Sequence, residues 1–93
     1  MDTIEIEGNA FSAAIVPFEH AKLLVITAPH GALGCGYISL DAAEKFGDAL
    51  AIVTGVSSYD DMLKAQVVRL SSAAAARGVA LGMTGREALL RMK

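Results

Sequence analysis

The sequence predicts a single α+β domain, in which a β-rich N-terminal half of antiparallel hairpins precedes a helix-rich C-terminal half. Three observations lead to this prediction. The chain has 93 residues, too few for two independent cores. Up to residue 38, short apolar or alternating stretches lie between turn residues, as in strands. From residue 39, capping residues and helical spacing take over. Residues 1–38 are therefore predicted as mainly strands, and 39–93 as mainly helices with one central strand.

The N-terminal half is predicted to hold four strands. Residues 3–7 alternate polar and apolar side chains, the period of a half-exposed strand, and Gly8-Asn9 is a turn pair. Glu19-His20 marks a second turn, and Pro29 ends the most apolar stretch. The predicted strands, in order, are residues 3–7, 10–18, 22–28 and 33–38.

Helix-capping residues indicate where the helices of the second half begin and end. Gly47 and Gly78 stand where left-handed C-terminal caps belong, and Ser58 precedes two acids that favour a helix start. Thr84 and Glu87 have the spacing of a capping box. The predicted elements are helices over 42–46, from 58, over 67–77 and from 84, and strands over 49–53 and 79–81. For residues 66–70 a strand is the alternative, because Val67-Val68 is β-branched.

Residues 30–36 form the most distinctive segment, with three glycines, one of two histidines and the only cysteine. Alternation along the predicted fourth strand would place Gly34 and Gly36 together on one face. Glycines leave bare backbone that a helix, a ligand or another chain can approach closely. Gly31, Gly34 and Gly36 are therefore candidate ligand-binding residues.

Cys35 and His30 are the candidate catalytic pair. A neighbouring imidazole can remove the thiol proton and so create a nucleophile, and two residues facing each other across a hairpin could come within reach. The alternative is that Cys35 is a small buried hydrophobe and His30 a turn residue. Both histidines with Cys35 could in principle ligate zinc, but their spacing matches no local zinc pattern, so we predict no metal and no cofactor.

The segment Thr84-Gly85-Arg86 is a second candidate site. Free amides at a helix start and a nearby guanidinium can hold a carboxylate or a phosphate, and Gly85 would let that ligand approach. The alternative is simple capping, with Arg86 paired to Asp60 or Asp61. The segment therefore predicts a small anionic ligand as one candidate partner.

The amino-acid composition indicates which kinds of partner and which cellular compartment to expect. Hydrophobic residues make up 54% of the chain and the mean hydropathy is +0.48, which favours burial of an apolar face against a second copy. The net charge of −2, without a basic stripe, argues against nucleic acid. No apolar run is long enough to span a membrane, and the start is not a signal peptide. A single cysteine fits the reducing cytoplasm.

Two motifs carry a resemblance to a known family. His-Gly-x-x-x-Cys-Gly at residues 30–36 and Gly-Met-Thr-Gly-Arg-Glu-Ala-Leu at 82–89 resemble the YunC-like (DUF1805) family of small bacterial and archaeal proteins. The resemblance implies an α+β fold whose β-rich N-terminal half forms the contact of an oligomer, a tetramer. It implies no reaction, because the family has no assigned function.

The sequence thus favours a small cytoplasmic, homo-oligomeric binding or assembly domain, a tetramer or a dimer. One alternative is an enzyme in which Cys35 attacks a small acyl or thioester-like substrate with His30 as base. A second is a sensor of anions at the Thr84-Gly85-Arg86 helix start.

Overall fold

A computed structural model describes all 93 residues, Met1–Lys93, and confirms the α+β class. Six strands form one sheet in the order β1-β2-β3-β4-β5-β6. All neighbours are antiparallel except β4 and β5, which are parallel. The elements, in chain order, are β1 (Asp2–Ile6), β2 (Asn9–Pro17), β3 (Lys22–Ala28), β4 (Gly31–Gly34), α1 (Leu40–Phe46), β5 (Leu50–Ile52), α2 (Tyr59–Lys64), β6 (Arg69–Leu70), α3 (Ser72–Ala76) and α4 (Gly85–Arg91).

The first hairpin forms as predicted, but its turn begins one residue earlier. Ile6 pairs with Asn9, so the two central residues are Glu7 and Gly8 instead of Gly8 and Asn9. Their φ angles are 50° and 80°, the two positive values that a type I′ turn requires. The Asn9 side-chain amide donates to the Ile6 carbonyl at 3.3 Å and supports the turn.

The fourth strand is displaced from the predicted residues 33–38. It covers Gly31–Gly34, and the chain then turns, with the Ile38 N–H donating to the Cys35 carbonyl at 3.1 Å. The turn brings the Ile38 side chain back over Gly34. The predicted alternation of faces therefore stops at Cys35, and the exposed Tyr37 lies in the turn.

The parallel pair β4–β5 is joined through α1, which ends at Gly47 with φ 74° as predicted. Successive residues of β5 point to opposite faces of the sheet. Ala51 joins the large core, whereas Leu50 and Ile52 pack with Ala43 of α1 in a small separate cluster. Helix α1 therefore covers one face of the sheet at β4–β5 only.

The helix predicted over residues 67–77 is wrong in its first half. Arg69–Leu70 is strand β6, paired with β5, and the helix is only Ser72–Ala76. The β-branched Val67-Val68 pair accounts for the extended start, so the alternative of a strand over 66–70 is closer. The strand predicted over residues 79–81 is also absent: Val79 and Ala80 belong to no element, and Leu81–Gly82 forms a turn. Of the two strands predicted over 49–53 and 79–81, the first forms as β5, and the second strand of this half is Arg69–Leu70 instead.

The main core lies between the sheet and helices α2, α3 and α4. It includes Phe11, Leu24 and Ile26 from the sheet and Met62 and Leu89 from the helices, each at most 2% exposed. On the opposite face, α1 lies over β4 and β5, and Val16 of β2 is 46% exposed. The longest helices have seven residues, and none is long and apolar enough to cross a membrane.

Candidate functional site

His30 lies with Pro29 in the turn between β3 and β4. Its backbone N–H donates to the Met92 carbonyl at 2.9 Å, which ties the turn to the C-terminal end of α4. The imidazole is exposed and forms no side-chain hydrogen bond or ion pair within the chain. His30 is therefore held in place by its backbone, and its ring is free to meet a ligand.

Cys35 lies at the opposite end of β4 and is 4% exposed. Its Sγ accepts a hydrogen bond from the Leu24 N–H at 3.2 Å, and its own N–H donates to the Leu24 carbonyl at 3.1 Å. Four strand residues separate it from His30, about 16 Å at the rise of a β-strand. The chain therefore does not bring this pair together, because both residues flank the same strand instead of facing each other across a hairpin.

A zinc site made of both histidines and Cys35 would also need side chains that the fold keeps apart. His20 lies in the turn between β2 and β3, where its ring is 3.8 Å from the Glu19 carboxylate. No three histidine, cysteine, aspartate or glutamate side chains come together anywhere in the chain in a manner that could hold a metal ion.

The three glycines of residues 30–36 have different surroundings. A Cβ at Gly34 would lie 2.6 Å from Ile38 Cδ1, and one at Gly31 would lie 2.9 Å from the Ala49 carbonyl oxygen. Both glycines are therefore explained by close packing within the chain. Gly36 is exposed, and a Cβ there would meet only Thr54 Cγ2, at 3.6 Å. Only Gly36 keeps the open backbone that a ligand would need.

The Thr84-Gly85-Arg86 segment forms the predicted capping box. The Glu87 N–H donates to Thr84 Oγ1 at 3.2 Å, and the Thr84 N–H donates to the Glu87 carboxylate at 3.1 Å. The Gly85 N–H donates to the Ala65 carbonyl at 2.9 Å. Arg86 pairs with Glu7 at 3.3 Å, not with Asp60 or Asp61. Two of the amides proposed for an anion are thus occupied by the chain itself, and the Arg86 charge is paired with Glu7.

Gly85 itself is buried under the neighbouring helix. A Cβ there would overlap the Met62 carbonyl oxygen of α2 and lie 2.7 Å from Leu33 Cδ2. The glycine lets the start of α4 pack directly against the end of α2, which leaves no room for a ligand.

The largest cleft of the protein lies at the His30 end of the sheet. It has a volume of about 1100 Å³ and lies between the β3–β4 turn, α1 and the C-terminal ends of α3 and α4. We call it the end cleft. Its charged or titratable residues are His30, Asp48, Arg77 and Arg91, and Phe46 of α1 contributes an aromatic ring. Of these, sequence analysis identified only His30, because the other residues come from distant segments without a local motif.

Comparison with known proteins gives a consistent result. Residues 34–92 match the family described as a domain of unknown function (DUF1805). The chain belongs to the DUF1805 family. It is 31% identical to the uncharacterized protein YunC of Bacillus subtilis (strain 168), over 96% of this chain and 92% of that protein. It is also similar to the crystal structure of a protein of unknown function, TA1206, from Thermoplasma acidophilum, with a TM-score of 0.94 and 34% identity over 99% of this chain and 90% of that one.

The DUF1805 match and the candidate residues overlap only in part. The matched segment contains Gly34, Cys35 and Gly36 and the whole of the Thr84-Gly85-Arg86 helix start. It begins after His30 and Gly31, so the two ends of β4 fall on different sides of its boundary. The resemblance proposed from the sequence is therefore confirmed at the level of the family.

We expect Cys35 of this DUF1805 chain to resist alkylation in the native state. Its Sγ is buried and accepts a backbone hydrogen bond, and the imidazole that could activate it lies far away. The measurement is the rate of reaction with iodoacetamide between pH 5 and 10, native and in denaturant, with His30→Ala alongside. A fast native reaction below pH 8 that slows in His30→Ala would restore the catalytic pair, with the imidazole supplied by another chain.

We also expect acid to destabilise this DUF1805 domain through its helix starts. Hydrogen bonds from the Thr84 backbone N–H and hydroxyl hold the pKa of Glu87 below its ordinary value of 4.5, and Ser72 does the same for Glu44. A lowered pKa in the folded state stabilises the fold above the unfolded value, and this stabilisation is lost as pH falls through the folded value. The melting temperature should therefore drop below pH 4.5.

The double variant Glu44→Gln/Glu87→Gln should have a lower melting temperature near neutral pH. As the pH is lowered, its melting temperature should fall less steeply than that of the wild type. Asp41→Asn is the control, because the Asp41 carboxylate is exposed and forms no side-chain hydrogen bond. If the melting temperatures of the wild type and the double variant fall equally at acid pH, Glu44 and Glu87 are not the groups responsible for the acid sensitivity.

Proposed function

We propose that this protein is a cytoplasmic assembly module that binds a second copy of itself through the uncovered face of its sheet. The feature that supports this is an apolar patch on β2 and β3, which we call the open face: Ala14, Val16, Leu23 and Val25. Ala14 pairs with Val25 and Val16 with Leu23, and alternation along the strands places all four on the face opposite the buried Leu24 and Ile26, although Leu23 also contacts the main core.

Burial supports the same proposal. Just over half of the residues are hydrophobic, yet only 23 of the 93 are buried in the single chain. Val16 is 46% exposed, and the aromatic pair Phe18 and Tyr37, at 49% and 51%, lies next to the end of β2 with ring centroids 4.9 Å apart. A contiguous apolar patch of this kind is typical of a protein contact surface.

The absence of charge on the open face favours a second copy as the occupant. In a two-fold symmetric contact, a residue near the axis meets its own equivalent, so a charge there would face the same charge. The outward residues of β2 and β3, from Ser12 to Val16 and from Leu23 to Thr27, include none. A tetramer would need a further contact beyond this one.

The cytoplasmic location rests on the only cysteine. Cys35 is the only cysteine, so the chain forms no internal disulfide, and this composition is typical of proteins of a reducing compartment. The two alternatives have less support. An enzyme would need an imidazole at Cys35, and an anion sensor would need free donors at Thr84-Gly85-Arg86, where the amides and Arg86 are engaged within the chain.

Replacement of Val16 and Val25 by glutamate should convert the oligomer to monomers. Both side chains point away from the main core, so the substitutions spare the fold, but they place like charges at the contact. Light scattering after size exclusion measures the mass. Leu81→Glu is the matched control, because Leu81 is 65% exposed and lies in a turn outside the open face.

A wild-type chain that stays monomeric at the highest attainable concentration would refute this proposal. A Val16→Glu/Val25→Glu variant that keeps the wild-type mass would refute the open face as the contact. Circular dichroism of each variant separates loss of assembly from loss of folding.

A further inference from the structure

The end cleft carries a surplus of positive charge in a chain that is negative overall. Arg77 and Arg91 line it, with Asp48 as the only acid. With His30 neutral, two arginines and one aspartate give the lining a formal charge of +1, against −2 for the whole chain. Such a local reversal attracts anions to the cleft.

The two arginines are available to a ligand. Neither guanidinium forms an ion pair or a side-chain hydrogen bond; the ion pairs of the chain are Glu19–His20 and Glu7–Arg86. Arg91 lies near Gly78, where a Cβ would be 3.2 Å from its Nη1, so the bare backbone after α3 gives this side chain space. Guanidinium groups bind carboxylate and phosphate through paired hydrogen bonds, and these two have donors free.

Much of the remaining lining is apolar and made of small side chains, with Thr27 and Ser39 as its uncharged polar residues. Phe46 of α1 is 73% exposed at the edge of the cleft, and the remaining walls consist largely of alanine: Ala28, Ala32, Ala42, Ala43, Ala49, Ala73 and Ala76. Alanine walls leave space for a ligand, and an exposed ring offers a flat apolar surface. A bare inorganic ion would leave this part of the cleft unused.

We propose that the end cleft binds a small molecule that joins an oxyanion, a carboxylate or a phosphate, to an apolar body. Arg77 and Arg91 bind the oxyanion, and Phe46 packs against the apolar body. His30 adds an imidazole to the same lining. This binding does not depend on the assembly proposed above, because the open face and the end cleft share no residue.

Both arginines also lie at helix C-termini, where a positive charge stabilises the helix without any ligand. The test must therefore separate binding from stability. The affected variant is Arg77→Gln/Arg91→Gln, and the matched control is Arg69→Gln/Arg86→Gln, which removes the same charge outside the cleft. Calorimetric titration with phenyl phosphate, benzoate, inorganic phosphate and benzyl alcohol measures affinity, and thermal unfolding checks that each variant is folded.

We expect phenyl phosphate or benzoate to bind the wild-type protein, and the tighter of the two identifies the oxyanion. The affinity should fall by about tenfold or more in Arg77→Gln/Arg91→Gln and change little in the control, since the bonds lost are charge-assisted. Phe46→Ala should weaken phenyl phosphate or benzoate but not inorganic phosphate. The proposal is overturned if neither compound binds, if benzyl alcohol binds equally well, if inorganic phosphate binds as tightly as both, or if the control pair loses as much affinity.

Discussion

Replacing Gly85 with alanine is expected to lower the free energy of unfolding by about 3 kcal/mol, the upper end of the usual cost of overpacking. The added Cβ would overlap the Met62 carbonyl oxygen and lie 3.0 Å from the Met62 carbonyl carbon. A backbone group cannot rotate away as a side chain can, so α2 and α4 must separate. Chemical denaturation followed by circular dichroism measures the loss.

The sign of this effect makes it diagnostic. Gly85 is the first residue of α4, and alanine is the better helix former by about 1 kcal/mol, so helix propensity alone predicts that the substitution stabilises. Gly36→Ala is the control, because its Cβ would meet only Thr54 Cγ2 at an ordinary 3.6 Å. Unchanged or increased stability in Gly85→Ala would mean that α4 does not pack against the Met62 carbonyl as described.

Gly85 also illustrates why a candidate site chosen from the sequence can have a structural role. A glycine at a helix start, followed by an arginine, is a combination of residues found in anion sites. Nothing in the local sequence indicates that α2 packs against this glycine. The contact with Met62 joins residues more than twenty positions apart. Gly34 differs, because the Ile38 that covers it is only four residues away.

Features that depend on neighbouring residues were predicted well. The Thr84 and Glu87 capping box, the Gly47 cap and the strand over residues 22–28 all form as expected, because each is determined by a few adjacent side chains. The Gly78 cap also forms: the Val79 N–H donates to the Ala74 carbonyl at 3.1 Å, as a left-handed helix end requires.

Features that depend on distant pairing were not predicted. Residues 67–77 contain four consecutive alanines, which favour a helix. Arg69–Leu70 nevertheless forms a strand, because it pairs with β5. His30 and Cys35 were placed across a hairpin because the sequence does not say where a strand begins. When β4 begins at Gly31, the same two residues flank it. Arg77 and Arg91 line the same cleft but come from different helix ends that no local motif connects, so the end cleft has no sequence signature.

The junction at Ser71, where β6 gives way to α3, is the second site at which substitution should cost most. Ser71 is completely buried, and its Oγ accepts from the Leu50 N–H at 2.9 Å and from the Ala74 N–H at 3.2 Å. The hydroxyl also donates to the Asp48 carbonyl at 2.8 Å. One side chain therefore caps α3 and joins it both to the start of β5 and to Asp48, two residues before β5.

Ser71→Ala is expected to cost about 3 kcal/mol, because an unsatisfied buried group costs ~1–3 kcal/mol and the helix cap is lost as well. Ser58→Ala is the matched control: Ser58 caps α2 through one exposed bond to the Asp61 N–H, and its loss should cost about 1 kcal/mol. Equal losses in the two variants would mean that Ser71 acts only as a cap. A threefold difference would instead show that the buried hydroxyl holds β5 and α3 together. The same hydroxyl would then also hold in place the wall of the end cleft that carries Arg77.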